Sequence, residues 1–96
     1  MPDYLLLMHD DATEATRGWD EYFRRLRDAG VFQGGSAIGG GMTARKDATP
    51  APLAAHLGGF IRIAARDLEH AQAFLDGNPV YEAGGTVEIR ELPHTG

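Results

Sequence analysis

The chain has no cysteine among its 96 residues, which excludes disulfide staples, thiolate zinc sites and thiol nucleophiles together and fits a reducing compartment. Cationic side chains are scarce: nine Lys and Arg stand against fourteen Asp and Glu, and the net charge of -5 aids solubility while arguing against a nonspecific nucleic-acid surface. Long hydrophobic runs are missing too. The opening Met1 to Asp11 has no basic stretch before a short apolar run, so neither a signal peptide nor a membrane span is expected, and the protein reads as cytoplasmic with no membrane partner. Linkers and low-complexity tracts are absent, and the length is below the usual about 100 to 150 residues, so 1–96 is expected to form a single domain.

Glycine, by contrast, is in surplus: thirteen residues, where average usage of about 7% would give about seven. The run Gly39-Gly40-Gly41 lacks a following Lys-Ser/Thr and lies between apparent strands, which excludes a phosphate loop. Ser36, in Gly34-Gly35-Ser36-Ala37-Ile38, lacks the Gly-x-Ser-x-Gly context of a nucleophile elbow. No cofactor is expected.

Hydrophobic periodicity organises the rest. Asp3 to His9 is almost continuously apolar and reads as a buried strand. Trp19, Tyr22, Phe23 and Leu26 recur at i, i+3, i+4 and i+7, which predicts a helix over about 13 to 29, with Thr13 as its cap and Gly30 as its stop. Val31 to Ile38 reads as a strand bent by Gly34-Gly35, and Gly39-Gly40-Gly41 as a reversal into Met42 to Lys46, completing a hairpin. Two prolines make 47–52 a loop, and Leu53 to Leu57 can hold a helical turn. Gly58 to Ala64 is a further strand. Asp67 opens a second helix ending at Gly77, with Leu68, Ala71 and Phe74 or Leu75 inward; Tyr81 to Ala83 allows a short turn, and Thr86 to Leu92 alternates as the last strand. The order is that of an α+β, ferredoxin-like βαββαβ unit: an antiparallel sheet with two helices on one face.

Alternation then assigns faces. Leu5, Leu7 and His9, with Ile61, Ile63, Val87 and Ile89, form the aliphatic set expected beneath the helices. Tyr4, Leu6, Met8 and Phe60 are expected on the bare face, a patch suited to sheet-on-sheet homodimerisation with Arg62, Glu88 and Arg90 at its margin.

Four stretches, in order, carry a resemblance spanning nearly the whole chain: Tyr4-Leu5-Leu6-Leu7-Met8; Trp19, Tyr22 and Leu26 leading into Ala29-Gly30-Val31 and Gly34-Gly35; Leu57-Gly58-Gly59-Phe60; and Asn78-Pro79-Val80-Tyr81-Glu82-Ala83-Gly84 before Val87-Glu88-Ile89. Together they resemble the YCII-related family, including its DGPF-type branch, which implies a dimeric α+β barrel. The namesake branch carries a His and Asp pair proposed as catalytic. Here the Asp position holds Asn78 and the His falls near Gly18, so that dyad does not transfer; the Asp-Gly-Pro-Phe signature is also missing, its region shortened to Thr49 to Leu53.

The remaining chemistry is sparse. His9 is followed by two carboxylates, Asp11 on its own face by alternation and Asp10 on the opposite one, so that one of them can hold its imidazole, making His9 the candidate catalytic acid-base group; the competing role is a capping or edge histidine. Metal is not expected: a third ligand is not supplied by spacing, and His56, His70 and Glu82 are only distant contributors. His70 reads as a solvated helix residue and His94 as part of a tail. The candidate ligand contacts are Asn78, whose amide can orient a ligand but also suits a turn before Pro79; Tyr81; the anion contacts Arg45 and Arg62; and Trp19 and Tyr22, which at helical spacing are first of all core. The function expected is binding of a small, anionic or cyclic metabolite in a helix-sheet cleft of a homodimer. The alternatives are a small enzyme of lyase, isomerase or hydrolase type using His9, and an assembly module whose cleft is filled by Trp19 and Tyr22.

Overall fold

A computed structural model describes residues 1–93. Along the chain run β1 (Asp3–His9), α1 (Trp19–Asp28), β2 (Phe32–Ala37), β3 (Leu57–Ala64), α2 (Leu68–Ala73), α3 (Pro79–Glu82) and β4 (Val87–Leu92). Among the described residues the fold is α+β: a four-stranded sheet in the order β2-β3-β1-β4, antiparallel at every pairing, with three helices. His94, in the expected tail, lies outside the described residues. Among those described, no helix is long and apolar enough to cross a membrane.

Register decides which side of the sheet is the core. Tyr4 stands opposite Ile63, and Leu6 stands between Ile61 and Ile89; directly opposed residues share a face. Tyr4, Leu6, Met8, Ile61 and Ile63 are buried and pack with Tyr22 and Leu26 of α1, Ala71 of α2, Leu75 and Val80. This inverts the face expected for β1. Tyr4, Leu6 and Met8 lie beneath the helices, whereas Leu5, Leu7 and His9 remain only partly buried on the other side, where Leu7 is opposite Phe60 and Glu88, and Leu5 opposite Arg62 and Arg90. The phases expected for β3 and β4 hold: Ile61, Ile63, Val87 and Ile89 belong to the core or pack against it.

The helix at α1 is shorter than its expected span of 13 to 29. Thr13 caps nothing: its amide, its hydroxyl and the Glu14 amide all donate to the carbonyl of Ala83, while Asp11 binds Thr86. Those tertiary bonds hold the approach segment against the end of α3 and the start of β4. The helix opens instead at Gly18, whose φ of 86° lies in the left-handed region. Its last turn carries Arg25 and Arg27, favourably placed at the negative helix end, and the Arg25 guanidinium also donates to the carbonyls of Ala73 and Asp76.

The expected hairpin through Met42 to Lys46 does not form, nor does the helical turn at Leu53 to Leu57. Residues 38–56 contain neither strand nor helix; they leave the sheet at Ile38, whose amide donates to Gly58, and are cross-braced by the Thr43 hydroxyl on Ala51. Met42 is exposed, so the segment after the triple glycine has no apolar face to bury against a partner strand. The bend expected at Gly34-Gly35 is present: the β2–β3 register shifts between Phe32 and Gly34, and a Cβ at Gly35 would sit 2.6 Å from the Phe60 carbonyl oxygen. The second helix is also shorter, ending at Ala73, and Leu68, expected inward, is exposed. Asp67 caps it through the His70 amide, and His70 Nδ1 in turn accepts from the Arg66 amide, which gives this histidine a capping role.

Candidate functional site

Where α1 begins, its first residues stand away from the C-terminal end of β1 and leave a cleft of about 480 Å³, within the range that small-molecule sites occupy. Trp19 and Phe23 border it from the helix; Met8, Ile61 and Val80 border it from the core; Gly35, Ala37, Gly58 and Gly59 border it from β2 and β3. Asp10, Ala12 and Thr16, in the approach to α1, complete one side; Ser36 and His9 border it as well, the Ser36 hydroxyl donating to the Ala37 carbonyl. The approach is held in place by Asp11, whose carboxylate accepts from the Thr86 amide at 2.8 Å and hydroxyl at 2.7 Å; that hydroxyl above all, then the amide, holds the Asp11 carboxyl below the usual carboxylate range.

His9 borders the cleft, while its ring makes contacts beside it. Nε2 is 3.9 Å from Glu88 Oε1 and is buried without a hydrogen-bond partner, and the ring meets His56 edge-on with centroids 4.8 Å apart. Of the two carboxylates next in sequence, Asp11 is engaged by Thr86. Glu88 is the carboxylate beside Nε2.

Asn78 is fully buried, and its side-chain oxygen accepts from the amides of Val80 and Tyr81, capping α3. Its Nδ2 is buried without a hydrogen-bond partner of good geometry, although the amide lies close enough to Tyr22 to favour the ionised phenol. Burial dominates at Tyr22 and pushes its phenol up; the hydroxyl donates to the Phe74 carbonyl at 2.6 Å. Neither Asn78 nor Tyr22 borders the cleft; Val80, set by the Asn78 cap, does.

The structure thus brings His9 and Trp19 together at the cleft, with Tyr22 and Asn78 in the packing behind it. It does not bring the others there. Tyr81 is exposed on a shallow groove with Glu69, Gln72 and Asp76. Arg62 binds Asp3 at 2.6 Å, and Arg45 lies on the exposed 38–56 segment. Sequence reasoning passed over Met8 and Thr16 as site residues, set Ser36 aside as a nucleophile, and read Phe23 with Trp19 and Tyr22 as core before cleft. Phe23 carried a signal in the helical stripe, but Met8 was hidden by the inverted strand phase. Glu88 and His56 were hidden as well, because only strand register and the entry to β3 place them beside His9. Among the described residues, no three His, Asp or Glu side chains gather closely enough to hold a metal ion.

A search of curated proteins returns no match. The sequence model of the YCII-related domain matches residues 3–94, a span that takes in every strand and helix described above. The chain belongs to the family of YCII-related domain proteins.

Proposed function

We propose that this chain is a small-molecule-binding protein that folds as one ferredoxin-like unit and works as a homodimer, with its ligand in the cleft between α1 and the sheet. The strand order β2-β3-β1-β4, with helices following β1 and β3, supports the ferredoxin-like reading. The cleft carries the functional reading: it has the volume of a metabolite site, mostly apolar walls and a few polar groups. A filled cleft would have favoured a pure assembly module. Instead Tyr22 is buried in the core, and Trp19 borders open space.

The dimer reading rests on the sheet face away from the helices. Leu5, Leu7 and Phe60 sit there only partly buried, among Arg62, Glu88 and Arg90, and pairing two such faces produces a dimeric α+β barrel. The stretch standing for the DGPF-type signature, Thr49 to Leu53, belongs to the exposed 38–56 segment. A second reading, a lyase-, isomerase- or hydrolase-type enzyme, is favoured by the unpartnered His9 Nε2 beside Glu88, an arrangement open to proton transfer.

A fragment screen followed by two-dimensional NMR tests the binding reading. Perturbations should concentrate at the Trp19 indole N–H and the Met8 methyl. Signals confined to the groove at Tyr81, or no perturbation at all, would remove the cleft as the site. Turnover of a bound compound that vanishes in a folded His9→Ala protein would select the enzyme over the binding protein.

A further inference from the structure

The chemistry of the cleft walls narrows what the site takes. Trp19 and Phe23 stack with centroids 5.6 Å apart and planes at 25°, and Phe23 meets Phe32 edge-on at 5.4 Å. The Arg27 guanidinium lies over the Phe32 ring at 6.0 Å, so the row of three rings is held at its far end. Trp19, at the near end of that row, is only partly buried and borders the cleft.

Toward β2 and β3 the wall is bare backbone. A Cβ at Gly35 would collide with the Phe60 carbonyl oxygen at 2.6 Å; one at Gly59 would lie 3.1 Å from the Ser36 carbonyl oxygen and 3.4 Å from Met8 Cε. Strand packing therefore disfavours side chains at these positions, leaving peptide planes where most sheets present branched side chains. Flat surfaces of both kinds, indole face and peptide plane, match a flat ring better than a puckered one.

Charge adds a second restriction. Among the described residues no Lys or Arg borders the cleft, while Asp10 does. His9 borders the cleft, but its ring lies on the sheet face away from the helices, with Glu88 beside its Nε2. A negatively charged ligand would meet Asp10 without a fixed counter-cation. Neutral hydrogen-bonding groups have partners in Thr16 and Asp10.

We propose that the cleft binds a flat aromatic or heteroaromatic ring carrying no negative charge, laid against Trp19 with its polar edge toward Asp10 and Thr16. The proposal rests on the ligand-binding reading above and specifies its substrate class.

Three probes of one size separate the terms: naphthol, flat and uncharged at neutral pH; decahydronaphthol, uncharged but saturated; and naphthoate, flat but anionic. Binding to the full chain is measured by titration calorimetry, with ligand-observed NMR for weak binders. Naphthol is expected to bind more tightly than either other probe by about three- to tenfold, the worth of an aromatic pair beyond its buried area. Trp19→Phe should retain that preference and Trp19→Ala should lose it. Equal binding of the saturated or anionic probe overturns the aromatic class and leaves a ligand site standing. Preference for naphthol undiminished in a folded Trp19→Ala protein also overturns it. If none of the three probes binds, both the ring class and the ligand-binding reading fall.

Discussion

Asp11 holds the approach to α1 through two donors of one residue, the amide and the hydroxyl of Thr86, and so joins the end of β1 to the start of β4 across 75 positions of sequence. Ionisation is what makes this latch effective, since a carboxylate accepting two hydrogen bonds is stabilised over its protonated form. The Thr86 hydroxyl is the leading cause of the lowered Asp11 pKa, followed by the Thr86 amide, with His9 contributing a smaller attraction. A carboxyl whose folded pKa is depressed contributes stability above its unfolded pKa and loses it as pH falls through the folded value. Urea midpoints of the wild-type chain should therefore fall toward acid more steeply than those of Asp11→Asn, which keeps an acceptor oxygen but cannot ionise. Superimposable acid limbs for the two proteins would show that the latch contributes no pH-dependent stability. Because Ala12 and Thr16 of the same segment border the cleft, the bond that orders the chain also shapes one wall of the site.

Among the elements, α1 shows both what periodicity reveals and where it stops. Its stripe of Trp19, Tyr22, Phe23 and Leu26 is a local property, and Tyr22 and Leu26 are buried as the spacing requires. Its start is not local, because the donors of Thr13 and Glu14 are taken by Ala83, seventy positions away for the Thr13 hydroxyl. Gly18 sets the boundary in its place. With φ at 86° and no atom within 4 Å of a built Cβ, Gly18→Ala isolates backbone strain from crowding, and it should cost about 1 to 2 kcal/mol in chemical denaturation. Gly18→Asn should cost less, as asparagine tolerates that region; equal stability of all three proteins would locate the helix start elsewhere. The phase of β1 was illegible for a different reason. Tyr4-Leu5-Leu6-Leu7-Met8 is apolar on both sides, so alternation carries no contrast, and only the pairing of Leu6 with Ile61 and Ile89 selects the inner face. The same limit applies to the site: His9 and Trp19 stood out by residue type, whereas Glu88, Met8 and the bare strands at Gly35 and Gly59 become site features only through register.

At the scale of the whole molecule, the protein is thin and broad, 47 × 40 × 19 Å, with a radius of gyration of 14.9 Å against about 12.5 Å for a compact chain of this length. Two features fit that shape: the exposed 38–56 segment, and a sheet whose helices cover one face. On the uncovered face, Leu7 of β1 lies between Phe60 and Glu88, and Leu5 lies between Arg62 and Arg90. Correcting the strand phase therefore leaves an apolar strip on this side but changes its members. Phe60 also borders the cleft, so Leu7 is the cleaner probe of association. If two copies pair through these faces, Leu7→Glu buries a carboxylate beside Glu88 with no cation directly opposite, and removing such a charge from water costs several kcal/mol. The variant should behave as a monomer in light scattering at concentrations where the wild type has twice the mass, with the circular dichroism of both unchanged because Leu7 lies outside the buried core. A Leu7→Glu protein that keeps the wild-type dimer mass would exclude this sheet face as the interface, and a wild type already monomeric at those concentrations would exclude the dimer itself.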